Sequence, residues 1–137
     1  MKPSIQQIGF VYNAQIPEAI ELCKSLIKAL KISNNSWSSS AELVSEKEKE
    51  FTQTSLIIVL GGDGTILSTV RRLEENMNPI MGIHIGGLGF LSECTESNLD
   101  KSINYIVKDE YSISERIILM PYNTSMSPKF RIGTLFE

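Results

Sequence analysis

Residues 56–65 read Leu-Ile-Ile-Val-Leu-Gly-Gly-Asp-Gly-Thr, an apolar run of strand length that leads directly into a glycine-rich segment. Such a run is typical of a central parallel strand that helices cover on both faces. Glycines let backbone amides approach an anion, and a helix predicted from Thr65 to Leu73 turns its positive end to the same place. The stretch therefore predicts a phosphate-binding loop between a buried strand and a helix.

Asp63 is the chemically informative residue of this loop. A carboxylate beside bound phosphate needs a role that outweighs charge repulsion: it accepts a proton from a hydroxyl nucleophile, or it helps to hold Mg²⁺. The plainer alternative is a turn residue, since Asp-Gly is a common turn dipeptide. The segment is neither a Walker A loop nor the Gly-x-Gly-x-x-Gly dinucleotide fingerprint, which disfavours Rossmann-type hydride transfer.

Strands and helices alternate on both sides of this loop, which predicts an α/β domain with an open, mostly parallel sheet. The interval 33–40 is polar apart from Trp37 and predicts a loop, with Trp37 covering an edge of the core. The charged run 46–50 predicts a solvated helix face or a connector. The other predicted elements are strands over Ile8–Tyr12, Ile80–Ile85 and Tyr111–Met120, a helix that follows Pro17, and a helix that begins near Ser97.

A second glycine segment follows the predicted strand over Ile80–Ile85. Residues 79–91 read Pro-Ile-Met-Gly-Ile-His-Ile-Gly-Gly-Leu-Gly-Phe-Leu. Gly-Gly-Asp-Gly-Thr by itself is shared by NAD kinases, diacylglycerol kinases and sphingosine kinases. Joined to this second segment it resembles the NAD kinases, also called inorganic polyphosphate/ATP-NAD kinases. The lipid kinases instead tend to have Pro-x-Gly-Thr-x-Asn-Asp in the second loop.

The resemblance implies a Rossmann-like NAD kinase N-terminal domain that transfers the γ-phosphoryl group of ATP to the 2′-hydroxyl of the adenosine ribose of NAD, giving NADP. It implies that Asp63 is the proton acceptor, that Asp63 and Gly64 contact NAD, and that Mg²⁺ neutralises the triphosphate. It also implies a homo-oligomer in the full-length family. The residues that it places in the nucleotide loops are Gly61, Gly62, Thr65, Gly86, Gly87, Leu88, Gly89 and Phe90.

Three features depart from the family pattern. His84 stands where Asn is usual, and a lone His at the end of a buried strand predicts a hydrogen-bonded core residue without a chemical role. Ser68 stands where a basic residue is frequent. The β-rich second domain of the family has no counterpart, so the sequence predicts a nucleotide-binding domain over 1–120 and a polar tail, the start of a missing domain, over 121–137.

These departures leave three functional hypotheses. The first is a truncated NAD kinase that is inactive or weakly active alone. The second is a non-catalytic nucleotide-binding or assembly module, and the third is a fragment of a diacylglycerol-kinase-like lipid kinase.

The composition of the chain disfavours nucleic acid and membranes as partners. The formal net charge is −3 over 137 residues, which lacks the basic character that nucleic-acid binding requires. No apolar run approaches the roughly 20 residues that span a bilayer, and the N-terminus lacks the apolar core of a signal peptide. The two cysteines, Cys23 and Cys94, form no metal or redox motif, and Cys23 is predicted to be a small core residue. These observations predict a cytoplasmic protein with small-molecule nucleotide partners and no membrane or nucleic-acid partner.

Overall fold

Four parallel strands with flanking helices organise the part of the chain that the computed structural model describes, which is residues 7–73, 76, 78–85, 94–95, 101, 104–105, 108, 111–117 and 129–135. The strands are β1 (Ile8–Tyr12), β2 (Ser36–Ser40), β3 (Leu56–Gly61) and β4 (Pro79–His84), in the spatial order β2-β1-β3-β4. The sheet continues beyond β4 with β5 (Cys94–Thr95) and β7 (Lys129–Leu135), both parallel to β4, and with β6 (Tyr111–Ile117), antiparallel to β7. The predicted fold class is therefore confirmed.

The helices lie in the connections between these strands. Helix α1 (Pro17–Ala29) follows β1 and has proline at its first position, where a missing N–H costs little. A 3₁₀ helix (Ala41–Lys47) and the short α2 (Glu48–Phe51) join β2 to β3, and α3 (Asp63–Leu73) joins β3 to β4. A second 3₁₀ turn, Ser33–Asn35, precedes β2. The charged run 46–50 is thus helical, which is one of its two predicted states.

Strand β3 is buried along its whole length, as its unbroken apolar sequence predicts. Ile57 and Val59 pack in one core cluster with Ile66 and Val70 of α3. The alternate residues of β3 pack in a second cluster with Ala19, Cys23 and Leu26 of α1. The sheet therefore has an apolar core on each face, and this arrangement fixes the position of the turn between β3 and α3.

Strand β2 corrects the prediction of a loop over 33–40. It pairs in parallel with β1, and Trp37 lies directly opposite Gly9. A Cβ atom at Gly9 would overlap the Trp37 indole ring, so the glycine creates the space into which the ring packs. The indole nitrogen donates a hydrogen bond to the Thr54 hydroxyl at 2.9 Å, and the ring lies 6.0 Å from that of Phe51. Trp37 is therefore a core residue, as predicted, but it belongs to a strand.

Strand β7 lies within residues 121–137, the segment for which the sequence predicts a polar tail. Its backbone pairs with β4 at Pro79 and Ile80 and with β6 along the whole of that strand. Only Phe130 and Ile132 alternate with polar residues there, a pattern too short to predict a strand. The domain division at residue 121 and the continuation into a second domain stay predictions.

The buried thiol of Cys23 confirms its predicted core position and gives a test in solution. Burial raises the pKa of this thiol from 9.0 to about 11, and the nearby Lys24 opposes only part of that effect. Because the folded-state pKa is the higher one, the stabilisation is complete below pH 9 and is lost as pH rises through 11. We expect Cys23→Ala to show a smaller fall in unfolding free energy between pH 9 and 11, measured by urea denaturation. Parallel pH curves for the two proteins would contradict this.

Candidate functional site

A cleft of about 420 Å³ lies at the carboxyl ends of the four parallel strands. The chain leaves β1 toward β2 on one side and leaves β3 toward β4 on the other, so the strand order reverses between β1 and β3. Open α/β sheets bind their ligands in the crevice at such a reversal. Residues from four connections line the cleft: Asn13, Gln15, Ile16, Ala41, Glu42, Gly62, Gly64, Thr65, Ser68 and Ile85.

The predicted phosphate loop is a tight turn of one residue. Gly61 ends β3, α3 begins at Asp63, and only Gly62 lies between them. The carbonyl oxygen of Gly62 accepts hydrogen bonds from the amides of Thr65 at 3.1 Å and Ile66 at 3.2 Å, which makes Gly62 the N-cap of α3. The first amides of a helix have no partner within it, and they carry its positive end. This end of α3 lies at the cleft, because Gly62, Gly64 and Thr65 line it.

The glycines on the two sides of this turn, Gly61 and Gly64, differ in whether a side chain would fit in their place. A Cβ atom at Gly61 would lie 2.5 Å from the Thr65 hydroxyl oxygen and 3.3 Å from the Asn13 Cβ, so packing excludes a side chain there. A Cβ atom at Gly64 would have nothing within 4 Å. Gly61 therefore serves the fold, whereas the absence of a side chain at Gly64 keeps the cleft open.

Asp63 is the first residue of α3 and is half-buried. The positive end of a helix favours a negative side chain in its first turn. Asp63 thus lies between Gly62 and Gly64, which line the cleft, in the first turn of the helix whose end suits an anion.

His84 lies at the end of β4, in register with Gly61. Its Cε1 atom is 3.6 Å from the position that a Cβ on Gly62 would take, so the imidazole packs against the β3–α3 turn. The ring is half-buried, and its Nδ1 atom is buried without a hydrogen-bond partner among the described residues. Within that part of the chain, Nδ1 lacks the hydrogen bond that the sequence predicts for this residue.

Ser68 lines the cleft one turn after Thr65. Arg72, one turn farther along α3, donates hydrogen bonds from Nη1 to the Ser68 hydroxyl and to the Ser68 carbonyl oxygen. The resemblance predicts a basic residue at position 68; in this chain the basic side chain is that of Arg72, one turn later in α3.

The far side of the cleft was not predicted. Asn13, Gln15 and Ile16 follow β1, and the rule that ligands bind beyond the carboxyl ends of strands would have identified them. Ala41 and Glu42 follow β2, which the sequence did not predict. The predicted loop residues Gly86, Gly87, Leu88, Gly89 and Phe90 lie outside the described residues.

Two further findings concern metal ligands and membrane spans. No group of three or more His, Cys, Asp or Glu side chains that could hold a metal ion occurs among the described residues. None of the described helices is long and apolar enough to cross a membrane.

With this geometry in place, comparison with known proteins decides the family. The model of the ATP-NAD kinase N-terminal domain matches residues 24–111, which is more than half of the chain. The chain belongs to the ATP-NAD kinase family. It is 35% identical to an NAD kinase of Syntrophobacter fumaroxidans over 122 residues, which cover 84% of this chain and 43% of that protein. It is 30% identical to an NAD kinase of Caldicellulosiruptor bescii over 113 residues, 82% of this chain and 42% of that protein.

Solved structures agree with this family on the fold. A yeast NADH kinase complexed with NADH superposes with a TM-score of 0.59 at 19% identity, over 93% of this chain and 46% of that one. A diacylglycerol kinase from Bacillus anthracis superposes with a TM-score of 0.54 at 17% identity, over 85% of this chain and 47% of that one. The chain thus spans less than half the length of the ATP-NAD kinase relatives that it matches.

Proposed function

We propose that this chain supplies the phosphate-binding and base-bearing half of an NAD kinase site, which transfers the γ-phosphoryl group of ATP to the 2′-hydroxyl of the adenosine ribose of NAD. The observation that carries the proposal is the position of Asp63 as the first residue of α3, between Gly62 and Gly64, which line the cleft where the strand order reverses. Family membership suggests the reaction, and the position of Asp63 at the start of α3 supports its proposed role as the base.

In the proposed mechanism the α3 amides and the glycine turn orient the transferring phosphoryl group. The Asp63 carboxylate accepts the proton of the ribose 2′-hydroxyl as its oxygen attacks the γ-phosphorus. The new O–P bond forms while the bond between the γ-phosphorus and the bridging oxygen breaks, and the electron pair leaves with ADP. A positioned base contributes typically about 10²–10⁴-fold to such a step, and orientation of the reactants contributes more.

Mg²⁺ enters this proposal with the ATP phosphates. The ion typically keeps several waters and binds proteins through one or two carboxylates together with substrate phosphates, so a dedicated cluster of ligands is not needed. Asp63 opens α3 directly after the glycine turn, and we assign it the role of base and assign no protein ligand to the metal. When bound, Mg²⁺ neutralises charge on the phosphates.

The partners proposed for the chain are ATP and NAD, and the proposed location is the cytoplasm. We also propose homo-oligomeric assembly for the full-length family to which the chain belongs. The negative net charge disfavours a nucleic-acid partner.

A pair of glycine variants tests whether the turn binds nucleotide. Gly64→Ala adds a methyl group that would meet no described residue within 4 Å beyond its own turn of helix, so we expect the fold to keep its stability or to gain up to about 1 kcal/mol from the better helix former. The same methyl group would occupy the space proposed for the ligand. We therefore expect ADP affinity, measured by isothermal titration calorimetry, to fall at least about tenfold, the equivalent of one lost charge-assisted hydrogen bond.

Gly61→Ala is the comparison variant. Its methyl group would overlap Thr65, so we expect a loss of about 1–3 kcal/mol of unfolding free energy. Unchanged ADP affinity in a stably folded Gly64→Ala protein would contradict the proposed ligand position.

A further inference from the structure

The cleft has two chemically different ends. One end consists of the glycine turn and the first amides of α3, and the other consists of Ala41 and Glu42, which follow β2. Strand β1 separates β2 from β3 in the sheet. Neighbouring strands lie about 4.8 Å apart, so the two ends are roughly 10 Å from one another. That separation suits an extended nucleotide with its phosphates at one end and its ribose at the other.

The residues between the two ends form a fixed turn. The Asn13 amide donates to the Leu60 carbonyl oxygen at 3.0 Å, and the Asn13 carbonyl oxygen accepts from the Ile16 amide at 3.0 Å. The Asn13 side-chain oxygen accepts from the Gln15 amide at 2.9 Å. These hydrogen bonds fix the backbone of the turn. Two of its residues line the cleft, the half-buried Ile16 and the exposed Gln15. An apolar side chain beside an amide is a suitable surface for a nucleoside.

Glu42 is the carboxylate at the far end of the cleft. It lies in the first turn of the 3₁₀ helix Ala41–Lys47 and is exposed. No hydrogen bond or ion pair within the described part of the chain involves its side chain, so the carboxylate is available to a ligand. An ionised carboxylate only accepts hydrogen bonds, and two adjacent hydroxyl groups can donate to its two oxygens. In dinucleotide-binding folds an acidic residue bonds the ribose hydroxyl in this way.

We propose that Glu42 selects a ribonucleotide as the phosphoryl donor by accepting hydrogen bonds from the 2′- and 3′-hydroxyls of the ATP ribose. This inference rests on the proposed function, because it takes the glycine turn to hold the donor phosphates. Inorganic polyphosphate has no pair of ribose hydroxyls to offer and would extend its negative charge to this carboxylate. Glu42 therefore favours ATP over polyphosphate as the donor.

Calorimetric titration of the 137-residue chain with three probes tests this role. The probes are ADP, 2′,3′-dideoxy-ADP and tripolyphosphate. We expect the wild-type chain to bind ADP at least about tenfold more tightly than dideoxy-ADP, since hydrogen bonds to a charged acceptor are lost. In Glu42→Ala that ratio should fall to about one, and tripolyphosphate should bind severalfold more tightly. Glu42→Gln keeps one acceptor oxygen, so its ratio of ADP affinity to dideoxy-ADP affinity should lie between those of the wild-type chain and Glu42→Ala.

Glu46→Gln is the matched control, because Glu46 is an exposed acidic residue of the same 3₁₀ helix that does not line the cleft. It should keep the wild-type ratio. A ratio unchanged in Glu42→Ala would overturn the inference, as would a wild-type chain that binds ADP and dideoxy-ADP equally; both results leave the proposed function intact. A wild-type chain that binds none of the three probes would overturn the inference and the proposed function together.

Discussion

Asp63→Asn should abolish NADP formation while it preserves or strengthens the binding of ATP. The amide cannot accept a proton from the ribose hydroxyl, so we expect turnover with ATP, Mg²⁺ and NAD to fall by about 10²–10⁴-fold. The same change removes a negative charge from the positive end of α3, where the phosphates are proposed to bind, and so removes a repulsion. Opposite changes in turnover and affinity distinguish a catalytic base from a residue that merely shapes the turn.

Asp63→Glu is the control for this experiment. It keeps the charge but moves the carboxylate by one methylene group, so turnover should fall without any gain in ATP affinity. Coupled enzymatic detection of NADP and calorimetric titration of ATP give the two quantities. Turnover unaffected by Asp63→Asn would refute the role of base. A chain that binds ATP and shows no turnover in any form would instead support the hypothesis of a truncated kinase that is inactive alone.

The half of the candidate site around Asp63 was predictable because the pattern that identifies it lies within one short stretch of sequence. A strand that is buried on both faces must be apolar throughout, and residues 56–60 are. The helix that follows has apolar residues at helical spacing, and the structure begins it two residues earlier than predicted, at Asp63. This difference matters for the chemistry, because it places the carboxylate in the first turn of the helix instead of in a loop before it.

The other half depends on contacts between residues that are distant in sequence. Strand β2 has one apolar residue, Trp37, among four serines. The position of the strand is fixed by the Trp37 ring, which packs into the space beside Gly9. A residue pair 28 positions apart leaves no periodic pattern in either segment. Because β2 was not predicted, Ala41 and Glu42 had no expected position, and the far end of the cleft was missed. Trp37 and Gly9 therefore contribute indirectly to the shape of the site.

Of the substitutions proposed for this chain, Trp37→Ala is expected to lower the unfolding free energy the most. The side chain is only 7% exposed and joins β2 to Phe51 and Thr54, so its removal should lower the unfolding free energy by about 3–5 kcal/mol. That is a large part of the 5–15 kcal/mol that typically stabilises a domain. Trp37 is the only tryptophan of the chain, so unfolding in urea must be followed by circular dichroism. Leu43→Ala, at a side chain that is 55% exposed, should change stability by less than about 0.5 kcal/mol.

A double-mutant cycle with Gly9→Ala tests the packing directly, because the sign of one substitution should depend on the other. In the wild-type background the added methyl group overlaps the indole ring, and we expect a loss of about 1–3 kcal/mol. In the Trp37→Ala background the same methyl group enters the cavity left by the ring, so it should be neutral or stabilising. Additive effects would show that the two residues do not compete for one space, since residues that share a cavity are coupled. Coupling of the expected sign would establish that Trp37 and Gly9 share one space, and that this packing adds to the backbone pairing of an edge strand with four serines.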